Sequence, residues 1–129
     1  MMPVELPKVV LLVEDNVLLR EYLAEVLSDD GWQVTAVDNA VAALDHMELG
    51  GMPDVLMTDL WLGAGMNGLA LIAEARHRWP QLRAVLASGG DVDRLDMHPG
   101  DRFLGKPFST NALIQVVTEL TRKSVAASC

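Results

Sequence analysis

Four places in this chain carry side chains that could do chemistry together: the adjacent acids Glu14-Asp15, then Asp59, Ser88 and Lys106. Three carboxylates gathered in one place repel. At an effective dielectric of ~20 each close pair costs about 4 kcal/mol at 4 Å. The single ammonium, Lys106, offsets part of that, and an oxygen-ligated divalent cation, Mg²⁺ by ligand type, would offset the rest. A cation, an ammonium, a hydroxyl and approachable backbone N–H groups are together what the oxygens of a phosphoryl group require. Gly89, beside Ser88, lets the backbone come close enough for its N–H to take part. Taken singly, each residue has an ordinary reading. Asp59 could be a turn or cap residue, Glu14-Asp15 could cap a helix, Ser88 could serve a turn, and Lys106 could be a solvated lysine.

The elements that must position these residues are legible in the apolar patterning. Val9 to Val13 is an unbroken β-branched and leucine run, as expected of a strand covered on both faces, and it ends at Glu14-Asp15. Asn16 is a suitable N-cap for a helix whose apolar positions are Leu19, Tyr22, Leu23, Val26 and Leu27, closed by Asp29-Asp30-Gly31. Val34, Ala36 and Val37 give a second strand. Asn39 opens a helix with Ala40, Ala43, Leu44 and Met47 on one face, ended by Gly50-Gly51.

Pro53 introduces the short run Val55-Leu56-Met57, which climbs to Asp59 and breaks at Gly63 and Gly65. A third helix is predicted from about Asn67 to Trp79, stopped by Pro80. A fourth strand, Arg83 to Ala87, delivers Ser88-Gly89-Gly90. Asp91 to Gly100 should hold a fourth helix of at most two turns. Arg102-Phe103-Leu104 is a brief fifth strand leading to Lys106-Pro107-Phe108. The last helix has Ser109 as N-cap and the stripe Leu113, Val116, Val117 and Leu120, with a frayed tail from Ser124 to Cys129.

Five strands alternating with five helices specify a three-layer α/β fold with a parallel sheet and right-handed crossovers. All carboxyl ends of such a sheet lie on one rim, where open α/β sheets take their ligands. The residues named at the outset therefore converge, although they are scattered along the chain.

Composition bounds the rest. The 129 residues suit one domain, with a core over about 8–122 and 50% hydrophobic residues to fill it. Mean hydropathy is +0.23, yet no apolar run approaches the roughly 18 residues of a membrane span. The N-terminus MMPVELPK lacks the apolar core of a signal peptide, and the one cysteine, Cys129, is the last residue. The expected setting is cytoplasmic and disulfide-free. A net charge of −8 and a pI near 4.6 argue against direct nucleic-acid binding. His46, His77 and His98 show no metal-ligand spacing.

Val13-Glu14-Asp15-Asn16, Asp54 to Gly68, Ala87-Ser88-Gly89 and Phe103 to Ser109 occur in order, each at a strand end. In this the chain resembles the receiver domains of response regulators in two-component signalling, over about Lys8 to Leu120. The resemblance implies a (βα)₅ flavodoxin-like fold with a five-stranded sheet in the order 2-1-3-4-5. It makes Asp59 the phosphoacceptor, charged from a phosphohistidine on a sensor histidine kinase or histidine phosphotransfer protein. It implies that Asp15 and Asp59 bind Mg²⁺ directly, Glu14 through water, and Trp61 through its backbone carbonyl. Lys106 would pair with the phosphoryl group, Ser88 would hydrogen-bond it, and Phe103 would rotate inward as Ser88 moves. The product is a switching signalling domain rather than a conventional enzyme.

Departures from the pattern carry their own expectations. Gly63-Ala64-Gly65 stands where many receivers have a proline, and one extra residue is present. That loop should be more mobile. The interval from Ser88 to Lys106 is a few residues short, which shortens the fourth helix and alters the neighbouring surface, so a family-style dimer does not carry over. The run FLGKPF is similar to receivers of hybrid histidine kinases. A stand-alone receiver is the leading expectation, since the chain leaves no room for an output domain, and the isolated receiver of a longer kinase or regulator is the alternative. A flavodoxin-like cofactor binder would need a Ser/Thr/Gly phosphate loop where Glu14-Asp15 stands. A related aspartate-nucleophile phosphatase would place its acids two apart on the first strand.

Overall fold

A computed structural model describes residues 8–63, 65–90 and 97–127, with side chains described as far as 121. The strands are β1 (Val9–Val13), β2 (Gln33–Val37), β3 (Val55–Asp59), β4 (Ala84–Ser88) and β5 (Arg102–Gly105). The helices among the described residues are α1 (Val17–Asp29), α2 (Ala40–Glu48), α3 (Gly68–Arg78) and α4 (Thr110–Ala127). All strand pairs are parallel, in the order β2-β1-β3-β4-β5.

Alternation along each strand divides the core into two layers. From β1, β3 and β4, Leu11, Val13, Leu56, Ala84 and Leu86 face the layer completed by Ala43, Leu44 and Met47 of α2 and by Leu71, Ile72 and Ala75 of α3. On the other face Val10, Leu12, Val55, Met57, Val85 and Ala87 meet Leu23 and Leu27 of α1 and Leu113, Val117 and Leu120 of α4. A sheet wrapped on both sides explains why its central strands read as continuous apolar runs. The edge strand β2 is only partly covered.

Helices begin at or next to the predicted residues, with Asn67 capping the third helix instead of opening it. The side chains of Asn16, Asn39 and Asn67 accept from the backbone N–H three residues on, at 3.0, 2.8 and 2.9 Å. Ser109 does the same for Ala112 at 3.0 Å. Gly31 and Gly50 end α1 and α2 with left-handed φ of 98° and 97°.

Three details differ from the expectation. Tyr22 is 54% exposed, because α1 centres its buried stripe on Leu23 and Leu27 and leaves Tyr22 on the margin. The fourth strand begins at Ala84 and includes Ser88 rather than stopping before it. The backbone of the last helix continues through Ala127, past the point where fraying was expected. Most of the predicted fourth helix lies outside the described residues, and 97–100 form bends and turns.

Candidate functional site

The parallel register brings the ends of β1, β3, β4 and β5 to one rim. Val13 pairs with Thr58, Asp59 with Ala87, and Ser88 with Gly105. The Leu60 N–H continues the ladder to the Ala87 carbonyl at 2.9 Å, and the Lys106 N–H reaches the Ser88 carbonyl at 2.8 Å. Residues from four strand ends are thus locked in relative position by backbone hydrogen bonds.

Glu14, Asp15 and Asp59 each present a carboxylate oxygen within 4.8 Å of the other two. Lys106 Nζ lies 3.1 Å from Glu14 Oε1 and 3.3 Å from Asp59 Oδ1. The Lys106–Pro107 peptide, just beyond β5, is cis. Glu14 is 3% exposed and uses both of its oxygens, since Oε2 accepts from the Asn16 N–H at 3.2 Å. Burial raises its pKa above the ordinary carboxylate range, and the nearby Asp59 adds to the rise. The Asn16 N–H and the Lys106 ammonium oppose it. Asp15 is exposed and turns towards the loop after β3, where its Oδ2 passes close to Gly63. This set of hard oxygen donors, three anions against one cation, suits a divalent metal such as Mg²⁺.

The remaining predicted residues lie on the same rim. Ser88 is buried, and its Oγ accepts from the Gly90 N–H at 3.1 Å, a local turn bond that leaves the hydroxyl hydrogen free to donate elsewhere. Gly89 is exposed, and a side chain there would lie against Lys106. Trp61 is 65% exposed, two residues past Asp59. Phe103 is half-buried on β5 and packs against the α2–α3 core layer. In the loop after β3, Gly63 and Gly65 adopt left-handed φ of 77° and 100°. That is backbone a proline could not supply.

Some contributors are not evident from sequence patterning. Gly68 opens α3 directly against β3. Its N–H donates to the Leu60 carbonyl at 2.8 Å, and a Cβ there would collide with the Asp59 carbonyl. The only hint in the sequence is a glycine at a helix start where helix formers would be favoured. Arg20, one turn into α1, donates from Nη1 to the Glu14 carbonyl at 2.8 Å. Arg76 of α3 makes a two-pronged pair with Asp101, just before β5, and also donates to the Leu82 carbonyl at 3.0 Å. Neither arginine stands in a pattern that would single it out.

A parallel five-stranded sheet in this order, with acids and a lysine at its carboxyl rim, defines a doubly wound α/β domain with a charged site at its strand ends. The family model described as the response regulator receiver domain matches residues 10–118, and the chain belongs to that family. It is 34% identical over 119 residues to the sensor kinase CckA of Brucella abortus, covering 88% of this chain and 12% of that protein. It is 38% identical over 112 residues to the response regulator protein FleR of Pseudomonas aeruginosa, covering 84% of this chain and 23% of that protein. A response regulator receiver protein from Sinorhizobium medicae superposes with a TM-score of 0.84 at 27% identity, covering 90% of this chain and 95% of the other.

The chain therefore spans less than a quarter of the length of either curated relative named here. Receiver domains are signalling modules rather than conventional enzymes. They work with histidine kinases or phosphotransfer proteins and bind Mg²⁺ at an acidic cluster of this kind. No helix among the described residues is long and apolar enough to cross a membrane.

Proposed function

We propose that this receiver, folding as one unit, takes a phosphoryl group onto Asp59 from a phosphohistidine of a sensor histidine kinase or phosphotransfer protein. An Asp59 carboxylate oxygen attacks phosphorus. The new P–O bond forms as the P–N bond breaks, and the electron pair returns to the imidazole, which takes up a proton. The observation that carries this reading is the position of Asp59, 3.3 Å from the Lys106 ammonium and within 4.8 Å of both other acids.

Asp15, Asp59 and the Trp61 carbonyl are the groups that would hold Mg²⁺ directly. Glu14, with both oxygens already engaged, would act through water. Mg²⁺ bound there would neutralise charge on the transferring oxygens. Lys106, beside Asp59, supplies a further positive charge. Phosphorylation takes Asp59 from about −1 to nearly −2 and adds acceptor oxygens, so Lys106 shifts from the carboxylate to the phosphoryl group. The free hydrogen of the Ser88 hydroxyl, with the Gly89 N–H, then draws the loop after β4 inward. Phe103, half-buried on β5, follows, and the altered surface is read by a protein partner. Return to the resting state is hydrolysis of the acyl phosphate at the same site.

The test is labelled phosphate transfer from a phosphorylated kinase. Wild type should gain label only with Mg²⁺ present, Asp59→Asn should gain none, and Lys106→Ala should gain label yet switch poorly. Undiminished transfer to Asp59→Asn would move the acceptor elsewhere. The same chemistry would operate if the receiver works inside a longer protein, a reading favoured by its match to a segment of a sensor kinase.

A further inference from the structure

We infer that Arg20 is a positioning residue for the cation site: it fixes the Glu14–Asp15 peptide so that the Asp15 carboxylate faces Asp59. The inference rests on the metal reading given above. Three hydrogen bonds pin the turn that leaves β1. The Glu14 N–H donates to the Val37 carbonyl at 3.0 Å, the Asn16 N–H donates to Glu14 Oε2 at 3.2 Å, and Arg20 Nη1 donates to the Glu14 carbonyl at 2.8 Å.

Only the Arg20 bond acts on the peptide unit that directly precedes Asp15. That unit sets the direction in which the Asp15 side chain leaves the backbone. Among the described residues no hydrogen bond or ion pair holds the exposed Asp15 carboxylate itself. Its place among the acids therefore depends on the backbone beneath it.

The choice of partner is informative. Arg20 stands on a helix that opens beside two carboxylates, yet its guanidinium donates to a neutral carbonyl. An arginine placed to neutralise the cluster would pair with a carboxylate in two-pronged fashion. One placed to orient the turn would take the carbonyl. Arg20 is itself anchored, because its own N–H closes the first turn of α1 on the Asn16 carbonyl at 2.9 Å. The helix, its cap and the acidic pair thus form one rigid corner.

Positioning and charge make opposite predictions. Removing a cation near three acids, by charge alone, should tighten Mg²⁺ binding. Removing the group that orients a ligand should weaken it, typically by ten- to a hundredfold. The full chain is titrated with Mg²⁺ alone as wild type, Arg20→Ala and Arg20→Lys, reading tryptophan emission and the melting midpoint with and without metal.

The expected result is a Kd about tenfold higher in Arg20→Ala, with a metal-free midpoint close to wild type. Arg20→Lys, which keeps a donor for the carbonyl, should recover part of the affinity. Equal or tighter binding by Arg20→Ala would overturn the inference while leaving the metal site standing. A loss of affinity matched by an equal loss of metal-free stability, or no recovery in Arg20→Lys, would also overturn it. Wild type blind to Mg²⁺ would overturn the metal reading and this inference together.

Discussion

Without divalent cation, replacing Asp59 by asparagine should make the fold more stable. The amide keeps the shape of the side chain and removes one charge. Lys106 Nζ at 3.3 Å attracts the Asp59 carboxylate by about 5 kcal/mol at an effective dielectric of 20. Glu14 and Asp15, each with an oxygen within 4.8 Å, repel it by roughly 3.5 kcal/mol apiece or more on the same scale. Repulsion wins by about 2 kcal/mol, and solvent around the exposed Asp15 reduces the balance to about 1–2 kcal/mol.

For a chain of this size that is a rise in melting midpoint of roughly 4–8 °C for Asp59→Asn over wild type. The assay is thermal unfolding in chelator at pH 8, followed by far-UV circular dichroism. Mg²⁺ should then reverse the order, because wild type gains about 2.7 kcal/mol at a hundredfold excess over Kd. The variant, with a ligand removed, gains much less. Added salt should shrink the metal-free gap. An Asp59→Asn variant that melts at or below wild type in chelator, or gains as much from Mg²⁺, would refute the charge reasoning.

Other perturbations test separate parts of the structure. The folded-state pKa of Glu14 is raised above its ordinary 4.5, so its contribution to stability is complete below 4.5 and lost as pH climbs through the raised value. In metal-free protein Glu14→Gln should therefore gain on wild type as pH rises from 4 to 7, and a pH-independent difference in urea titrations would contradict this. Gly68→Ala should destabilise by about 1–3 kcal/mol despite alanine's better helix propensity, because the added methyl meets the Asp59 backbone, which cannot turn aside. Urea midpoints equal to or above wild type would show that α3 shifts freely. Arg76→Ala should cost about 3–5 kcal/mol by stranding Asp101, whose side chain is 3% exposed. Adding Asp101→Asn should recover part of it, and a loss under 1 kcal/mol would mean that the pair is not holding β5 to α3.

What the sequence made legible was whatever repeats along the chain. Val9 to Val13 and Val55 to Met57 read as buried strands because both faces are covered, the first running directly into Glu14 and the second reaching Asp59 through Thr58. Convergence of Glu14, Asp15, Asp59 and Lys106 then followed from parallel strands sharing one rim. The strand order came from the family resemblance, since patterning alone does not say which strands are neighbours.

Tyr22 was misplaced because helical spacing identifies a stripe without separating its centre from its edge. Arg20 was silent because its partner is a backbone carbonyl presented by a turn, and no spacing rule encodes that. Arg76 and Asp101 lie 25 positions apart with β4 between them, so their meeting depends on the folded sheet. Ser88 ends β4 at the rim, and its Oγ accepts from the Gly90 N–H of its own loop, a partner that no spacing rule encodes.

The central claim is that the phosphoryl group lodges on Asp59. Borohydride reduction of the phosphorylated chain converts an aspartyl phosphate to homoserine, which peptide mass mapping locates. Homoserine at position 59, formed only when Mg²⁺ was present during phosphorylation, is the predicted result. Homoserine at another acid, or label that borohydride cannot release, would contradict it.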